Sequence, residues 1–248
     1  MNEALKLFSL NIERGKHYDR WIPFVKRGDF DIVCLQEVYE PDLKMFEDEL
    51  GMKFIFVPMC NVYHDNTHEE VLQGIAIGSR AQSLISESSY YFQKYDSSKK
   101  PDSPSGFKDC GRVLLCSSYK KNDQVFHICT THFTHTPNGE ITEQQKKDAH
   151  NLLNLLSDKE EFILCGDMNA PREKACFSMF EKEYTDNIPK HYTSSLDIEL
   201  RSSPFIGDSN LMVDALFSTP HYAAENVELV SGLSDHKAIV ADFYKKEE

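Results

Sequence analysis

Short runs of apolar, β-branched and aromatic residues recur from one end of the chain to the other, separated by polar and turn-forming residues. LKLFSLN (5–11), DIVCLQE (31–37), MKFIFVPM (52–59), GIAIGSR (74–80), RVLLCSSY (112–119), QVFHICTTHF (124–133), EFILCGDMN (161–169), VDALFST (213–219), NVELV (226–230) and HKAIVADFY (236–244) have the length and composition of strands. Many are apolar at successive positions, the pattern of a strand covered on both faces. Helical spacing falls between them. HYDRWIPFVKR (17–27) puts Trp21, Phe24 and Val25 on one side, and EPDLKMFEDEL (40–50) aligns Leu43, Phe46 and Leu50. ITEQQKKDAHNLLNLLSD (141–158) opens with Thr142 and Gln145 at capping-box spacing, and PREKACFSMFEK predicts a further helix from Pro171.

Strands and helices are interspersed without strict alternation. This favours a sandwich of mixed sheets over a doubly wound parallel sheet. No repeat or linker interrupts residues 1–248, which read as one domain. One polar, Pro- and Ser-rich insertion, Ser88 to Asp109, reads as a loop at the rim of a site or as a solvated excursion. Its aromatics, Tyr90, Tyr91, Phe92 and Tyr95, lie beside Lys94, Lys99 and Lys100, a composition suited to stacking on bases or to forming part of the core.

Net charge narrows the picture further. At −13 the chain is poorly suited to gripping long nucleic acid through its backbone or anionic membranes by charge alone. No apolar stretch is long enough to span a bilayer, and the N-terminus lacks the pattern of a secretory leader, so a cytoplasmic monomer is expected. The seven cysteines, Cys34, Cys129 and Cys165 among them, sit mostly in apolar runs and read as small buried hydrophobes of a reducing compartment.

Chemistry is concentrated where polar residues close or open buried strands, because an unpaired polar group there is costly. Asn11 closes the first run and Gln36-Glu37 the second; an acid in that place suits a hard cation with oxygen ligands. Asp167 and Asn169 follow FILC, and Ser234-Asp235-His236 opens the last strand, setting a carboxylate beside an imidazole. Each has an ordinary structural alternative, such as an Asx turn at Asp167. His64 and His68 have i, i+4 spacing that suggests zinc, but no further ligands accompany them.

Taken in order, these segments resemble the endonuclease/exonuclease/phosphatase superfamily from the first strand to the last. The resemblance is carried by Asn11, Gln36-Glu37, Thr131-His132, Gly166-Asp167-Met168-Asn169, Val213-Asp214-Ala215-Leu216-Phe217 and Ser234-Asp235-His236. It implies an α/β fold, a four-layer α/β/β/α sandwich of two mixed sheets with one site at an edge. It also implies a hydrolase of phosphodiesters or phosphomonoesters, nucleic acid among the substrates, using Mg²⁺ with Mn²⁺ as a substitute.

The same resemblance assigns roles. Glu37, Asp235 and Asn11 form the metal site; Asp167 activates water and Asn169 holds it or a phosphate oxygen. His236 meets the scissile phosphate with Asp214 fixing its tautomer, and His132 donates to a non-bridging oxygen. Arg80, closing GIAIGSR, is the candidate substrate contact or else a strand cap. The acid that nuclease relatives carry before GIAIGSR has no clear counterpart; Gln73 stands nearest. An interaction module on the same fold is the rival reading, and the presence of every acid and histidine argues against it.

Overall fold

The computed structural model describes residues 3–101, 110–201 and 210–246. Two six-stranded sheets pack face to face. One has the order β11-β12-β1-β2-β4-β3, from Tyr222–Val230, Ala238–Lys245, Leu5–Asn11, Ile32–Tyr39, Glu70–Ser79 and Lys53–Tyr63. The other has the order β5-β6-β7-β8-β10-β9, from Ser83–Phe92, Arg112–Lys121, Gln124–His132, Ile163–Asp167, Asp214–Ser218 and Thr185–Asp186. Parallel pairing of β1 with β2, and of β7 with β8, makes both sheets mixed.

Alternation of side chains along each strand supplies both faces of each sheet. Leu7, Ile32, Cys34, Ile75 and Ile77 of one sheet meet Leu115, Ile128, Ile163, Cys165 and Leu216 of the other in the central core. The outer face of the first sheet, through Phe8, Leu10, Val33 and Leu35, packs on α1 (Tyr18–Gly28) and α2 (Leu43–Leu50) by way of Trp21, Val25, Phe46 and Leu50. The outer face of the second packs Leu114 and Leu164 against Leu152 and Leu156 of α3 (Glu143–Ser157) and against Phe177 and Phe180 of α4 (Ala175–Glu181). Each such side chain contributes about 1.5–3 kcal/mol on burial. The result is the expected four-layer α/β/β/α sandwich.

Three local expectations are corrected. Residues 88–92 are the end of β5, an edge strand exposed from Leu84 to Ser89, where a Ser-rich sequence hides the strand signal. Residues 102–109 of the expected loop lie outside the described residues. The fourth helix starts at Ala175, because Arg172 is held in a turn by its N–H to Met212 O (2.8 Å) and a buried ion pair with Asp186 (2.9 Å). His64 and His68 flank a turn; the His64 ring lies tilted against Tyr39, its Nε2 3.3 Å from Asp42 and its Nδ1 accepting from Asn66 N. Finally, Cys60–Cys110 and Cys116–Cys129 are disulfides, leaving Cys34, Cys165 and Cys176 as buried thiols. Cys129 is therefore not a free thiol, and the cysteine argument for a reducing compartment falls away. Among the described residues, no helix is long and apolar enough to cross a membrane.

Candidate active site

The strand directions bring six chain ends to one edge of the sandwich. β1, β2, β7 and β8 finish there, and the antiparallel β10 and β12 begin there. In the second sheet His132, Asp167 and Asp214 stand in one row, since His132 pairs with Asp167 and Asp167 with Asp214. In the first sheet Asn11 is in register with Gln36. A β-bulge interrupts β2 at Glu37, whose φ is 61°, so Glu37 turns away from the alternation of its neighbours. Gln36 instead points into the core and donates from Nε2 to Thr130 Oγ1 of the facing sheet at 3.0 Å.

Asn11 joins the two halves. Its Nδ2 donates to Glu37 Oε1 at 3.3 Å and to Asp167 Oδ2 at 3.1 Å, while its Oδ1 accepts from Glu13 N at 3.1 Å. In this arrangement the Asn11 amide bridges the two carboxylates Glu37 and Asp167. Asp167 is further held by Asn169 N on Oδ1 (2.8 Å), an Asx turn, with His132 Nε2 at 3.4 Å and His236 Nε2 at 3.9 Å from Oδ2. Asn169 lies in the left-handed region (φ 45°) and donates from Nδ2 to Phe133 O. His236 Nδ1 is 2.8 Å from Asp214 Oδ2, and Ser195 Oγ accepts the backbone N–H groups of Val213 and Asp214 beneath that pair, each at 3.0 Å.

Helix α3 braces this edge from behind. Thr142 caps it by accepting from Gln145 N at 3.1 Å, half of the expected box. The Gln145 side chain does not return to the cap; it donates to Thr134 O (2.9 Å) and Asn169 O (3.2 Å), tying together the segments after β7 and β8. Asp148 accepts from Thr134 Oγ1 at 2.7 Å.

The electrostatics separate the groups. Burial, with Asp214 nearby and against the pull of His236, pushes the Asp167 carboxyl up to about 7. Burial by itself would lower His236, but Asp214 and Asp167 outweigh it and raise the imidazole well above its ordinary value. His132 goes the other way, lowered by burial and by the Arg112 guanidinium, so it is neutral. Burial raises Glu37, the Arg14 guanidinium opposes, and the charge of Asp235 adds to the rise. Asp235 is raised by burial too, partly offset by His236. The charge of Asp235 acts on Glu37, and neighbouring carboxylates of this kind have the donor chemistry of a hard-cation site. Asp167, Asp214 and His236 also offer ligand atoms within 4.8 Å of one another.

Arg80 does not join the group. Ser79 pairs with Ile32 at the opposite end of the sheet, and Arg80 Nη1 lies 3.7 Å from Asp29 there, so it is a surface cation away from the site. Two residues that were not singled out do belong. Arg112, 3% exposed, lines a small cavity of about 10 Å³ with Glu37, Cys60, Gln73, Cys110 and His132, and its Nη1 donates to His132 O at 3.4 Å. Its position as the first residue of an apolar strand was the available signal. Arg14 also neighbours Glu37, Nε 3.6 Å from Oε2. The aromatic cluster is spent on the fold: Tyr91 OH meets Thr131 Oγ1 (2.8 Å), Tyr90 donates to Pro58 O, and Tyr95 to Asn61.

A model of the endonuclease/exonuclease/phosphatase family matches residues 8–236. No curated protein matches the sequence. Among solved structures, the endonuclease/exonuclease/phosphatase from Bacteroides vulgatus is 17% identical with a TM-score of 0.73, over 99% of this chain and 100% of that one. The mannosyl-6-phosphatase of Bacteroides thetaiotaomicron is 16% identical, TM-score 0.68, over 97% and 99%. TDP2 from D. rerio, solved with a single-strand DNA product, is 16% identical, TM-score 0.67, over 98% and 100%. At these identities the likeness is one of fold.

Proposed function

The chain belongs to the endonuclease/exonuclease/phosphatase family, and from that premise we propose that it is a divalent-metal-dependent phosphoesterase acting through an activated water. The observation that carries this reading is the pairing of opposite proton affinities at one point. Asp167, pushed up to about 7, lies 3.9 Å from a His236 ring that Asp214 keeps charged. A carboxylate near neutrality is a competent base, and a fixed imidazolium is a competent donor.

Glu37 and Asp235 would hold the cation, Mg²⁺ or Mn²⁺. When bound, it relieves negative charge around phosphorus and polarises its oxygens. Asp167 takes the proton of the attacking water, positioned for that task by the N–H of Asn169 and the amide of Asn11. Asn169, anchored through Nδ2, keeps Oδ1 for the water. Asp214 accepts from His236 Nδ1, which turns Nε2–H toward the phosphoryl group. Neutral His132 donates to a second phosphoryl oxygen, with Arg112 supplying a fixed positive charge in the adjoining cavity. The substrate is a phosphate ester, monoester or diester; among the neighbours on this fold one is a mannosyl-6-phosphatase and another, TDP2, holds a single-strand DNA product.

The test is hydrolysis of p-nitrophenyl phosphate, bis-p-nitrophenyl phosphate, and single- and double-stranded DNA, with Mg²⁺, Mn²⁺ or EDTA. Turnover that needs the metal and vanishes in a folded Asp167→Asn variant is expected. Turnover that survives EDTA or the substitution would overturn the mechanism. A folded protein that binds neither metal nor phosphate would return the interaction-module reading.

A further inference from the structure

Between β1 and α1 the chain makes a tight turn, Ile12 to His17, in which Glu13 (φ 47°) and Arg14 (φ 63°) are both left-handed. Each L-residue there costs roughly 1–2 kcal/mol, so the turn persists only because contacts fix it. Glu13 N donates to Asn11 Oδ1, and the Glu13 carboxylate is 2.8 Å from His17 Nε2 and 3.0 Å from Lys16 Nζ. Those contacts send the Glu13 side chain one way and the Arg14 side chain the other, toward Glu37.

The guanidinium of Arg14 lies between two carboxylates without a close bond to either. Nε is 3.6 Å from Glu37 Oε2, and Nη1 is 3.5 Å from Asp65 Oδ1 on the turn joining β3 and β4. Nε is buried and makes no hydrogen bond, which is an expensive state for a charged donor. A structural ion pair would close to about 2.8 Å. Here a permanent cation, partly exposed and with Tyr39 as a further polar neighbour, is held beside the Glu37 carboxylate.

We propose that Arg14 is a specificity-determining residue that grips a phosphoryl oxygen of the substrate, and that Asp65 is the positioning residue that holds it for this purpose. The proposal rests on the phosphoesterase reading above. Arg14 lies 3.6 Å from Glu37, and Arg112 lines the small cavity that Glu37 and His132 share, so a phosphoryl group beside Glu37 lies in the field of two guanidiniums as well as of the His236 imidazolium. That concentration of positive charge suits a dianionic group with three terminal oxygens, a phosphomonoester or the inorganic phosphate it releases, over a monoanionic diester. Before the phosphate arrives, Arg14 also competes with a divalent cation for Glu37.

Two binding measurements on the full chain separate this from a purely structural role, with Arg14→Gln keeping an amide donor and Arg14→Lys keeping the charge. By titration calorimetry, Arg14→Gln should bind Mg²⁺ about threefold more tightly than the parent, since a neighbouring like charge has gone. In the presence of saturating Mg²⁺ it should bind inorganic phosphate about tenfold more weakly, the loss of one charge-assisted hydrogen bond. Arg14→Lys should restore the parental Mg²⁺ affinity and only part of the phosphate affinity. Asp65→Asn should weaken phosphate binding without tightening Mg²⁺ binding to the same degree. Steady-state kinetics should show KM for p-nitrophenyl phosphate rising more than kcat falls, with bis-p-nitrophenyl phosphate less affected. Phosphate affinity within twofold of the parent in Arg14→Gln, or weaker Mg²⁺ binding, would overturn the assignment while leaving the phosphoesterase reading intact. If the parent protein itself bound neither Mg²⁺ nor phosphate, both would fall together.

Discussion

In a Gly166→Ala variant the new methyl group would stand 2.2 Å from the carbonyl oxygen of Thr131, on the strand paired in parallel with it. Contacts of that kind do not occur below about 3 Å, and the obstacle is backbone, so β7 and β8 must separate by roughly 1 Å. Gly166 also has φ of +142°, a conformation an L-residue adopts only with strain. Losing two ladder hydrogen bonds at about 1 kcal/mol each, with about 2 kcal/mol of overpacking and backbone strain, gives a destabilisation of roughly 4 kcal/mol. In urea this should lower the unfolding midpoint by about 2 M for a slope near 2 kcal/mol/M. Gly51 is the control, because its φ is +64° yet an added Cβ meets nothing within 4 Å; Gly51→Ala should cost only about 1 kcal/mol. Since Asp167 follows Gly166 directly, turnover should fall more than about a hundredfold even where Gly166→Ala remains folded, a misplacement effect. A midpoint within the range of the Gly51 variant would refute the packing argument, and unimpaired turnover would refute the claim that strand register positions Asp167.

His236→Ala and Asp214→Ala should be less than additive in kcat/KM, because the two form one unit at 2.8 Å; full additivity would show that they act separately. Asp214→Asn removes a principal cause of the raised His236, so the pH above which activity declines should move down. In metal-free protein the same pair stabilises the fold fully below the ordinary imidazole value of 6.5 and loses that contribution as pH rises through the higher folded value; thermal melts from pH 6 to 9 should therefore be flatter for Asp214→Asn. Arg112→Met should depress turnover about a hundredfold with little loss of stability, since the buried guanidinium's desolvation cost disappears with it; matching losses in both would mark Arg112 as structural. Alkylation after denaturation without reductant should modify three cysteines, Cys34, Cys165 and Cys176; seven would contradict both disulfides. Reduction should lower the melting temperature, because the bridge across 50 residues of sequence alone is worth up to about 4 kcal/mol in chain entropy.

Much of the candidate site was legible because strand ends announce themselves. Asn11, Glu37, Asp167, Asp214 and Asp235-His236 each break or border an apolar run, and in a sandwich such breaks fall at the edges. Strand β5 is illegible for the complementary reason: an edge strand exposed over most of its length needs no apolar run, and serines suffice. Arg80 was drawn in by its place after a strand, but in an antiparallel partner the strand's end lies at the far side from Glu37.

From the sequence alone came the local periods, the α/β class and the order of polar interruptions, all of which depend on neighbours within a few residues. Only tertiary structure decided the rest. The bulge that turns Glu37, the row of His132, Asp167 and Asp214, and the amide of Asn11 spanning 156 positions to Asp167 are set by strand register. Two arginines far apart in sequence come to neighbour one carboxylate, and cysteines 50 positions apart meet beside the cavity. Those relations have no short-range signal, because proximity across sheets follows from how the layers pack and not from the composition of any one segment.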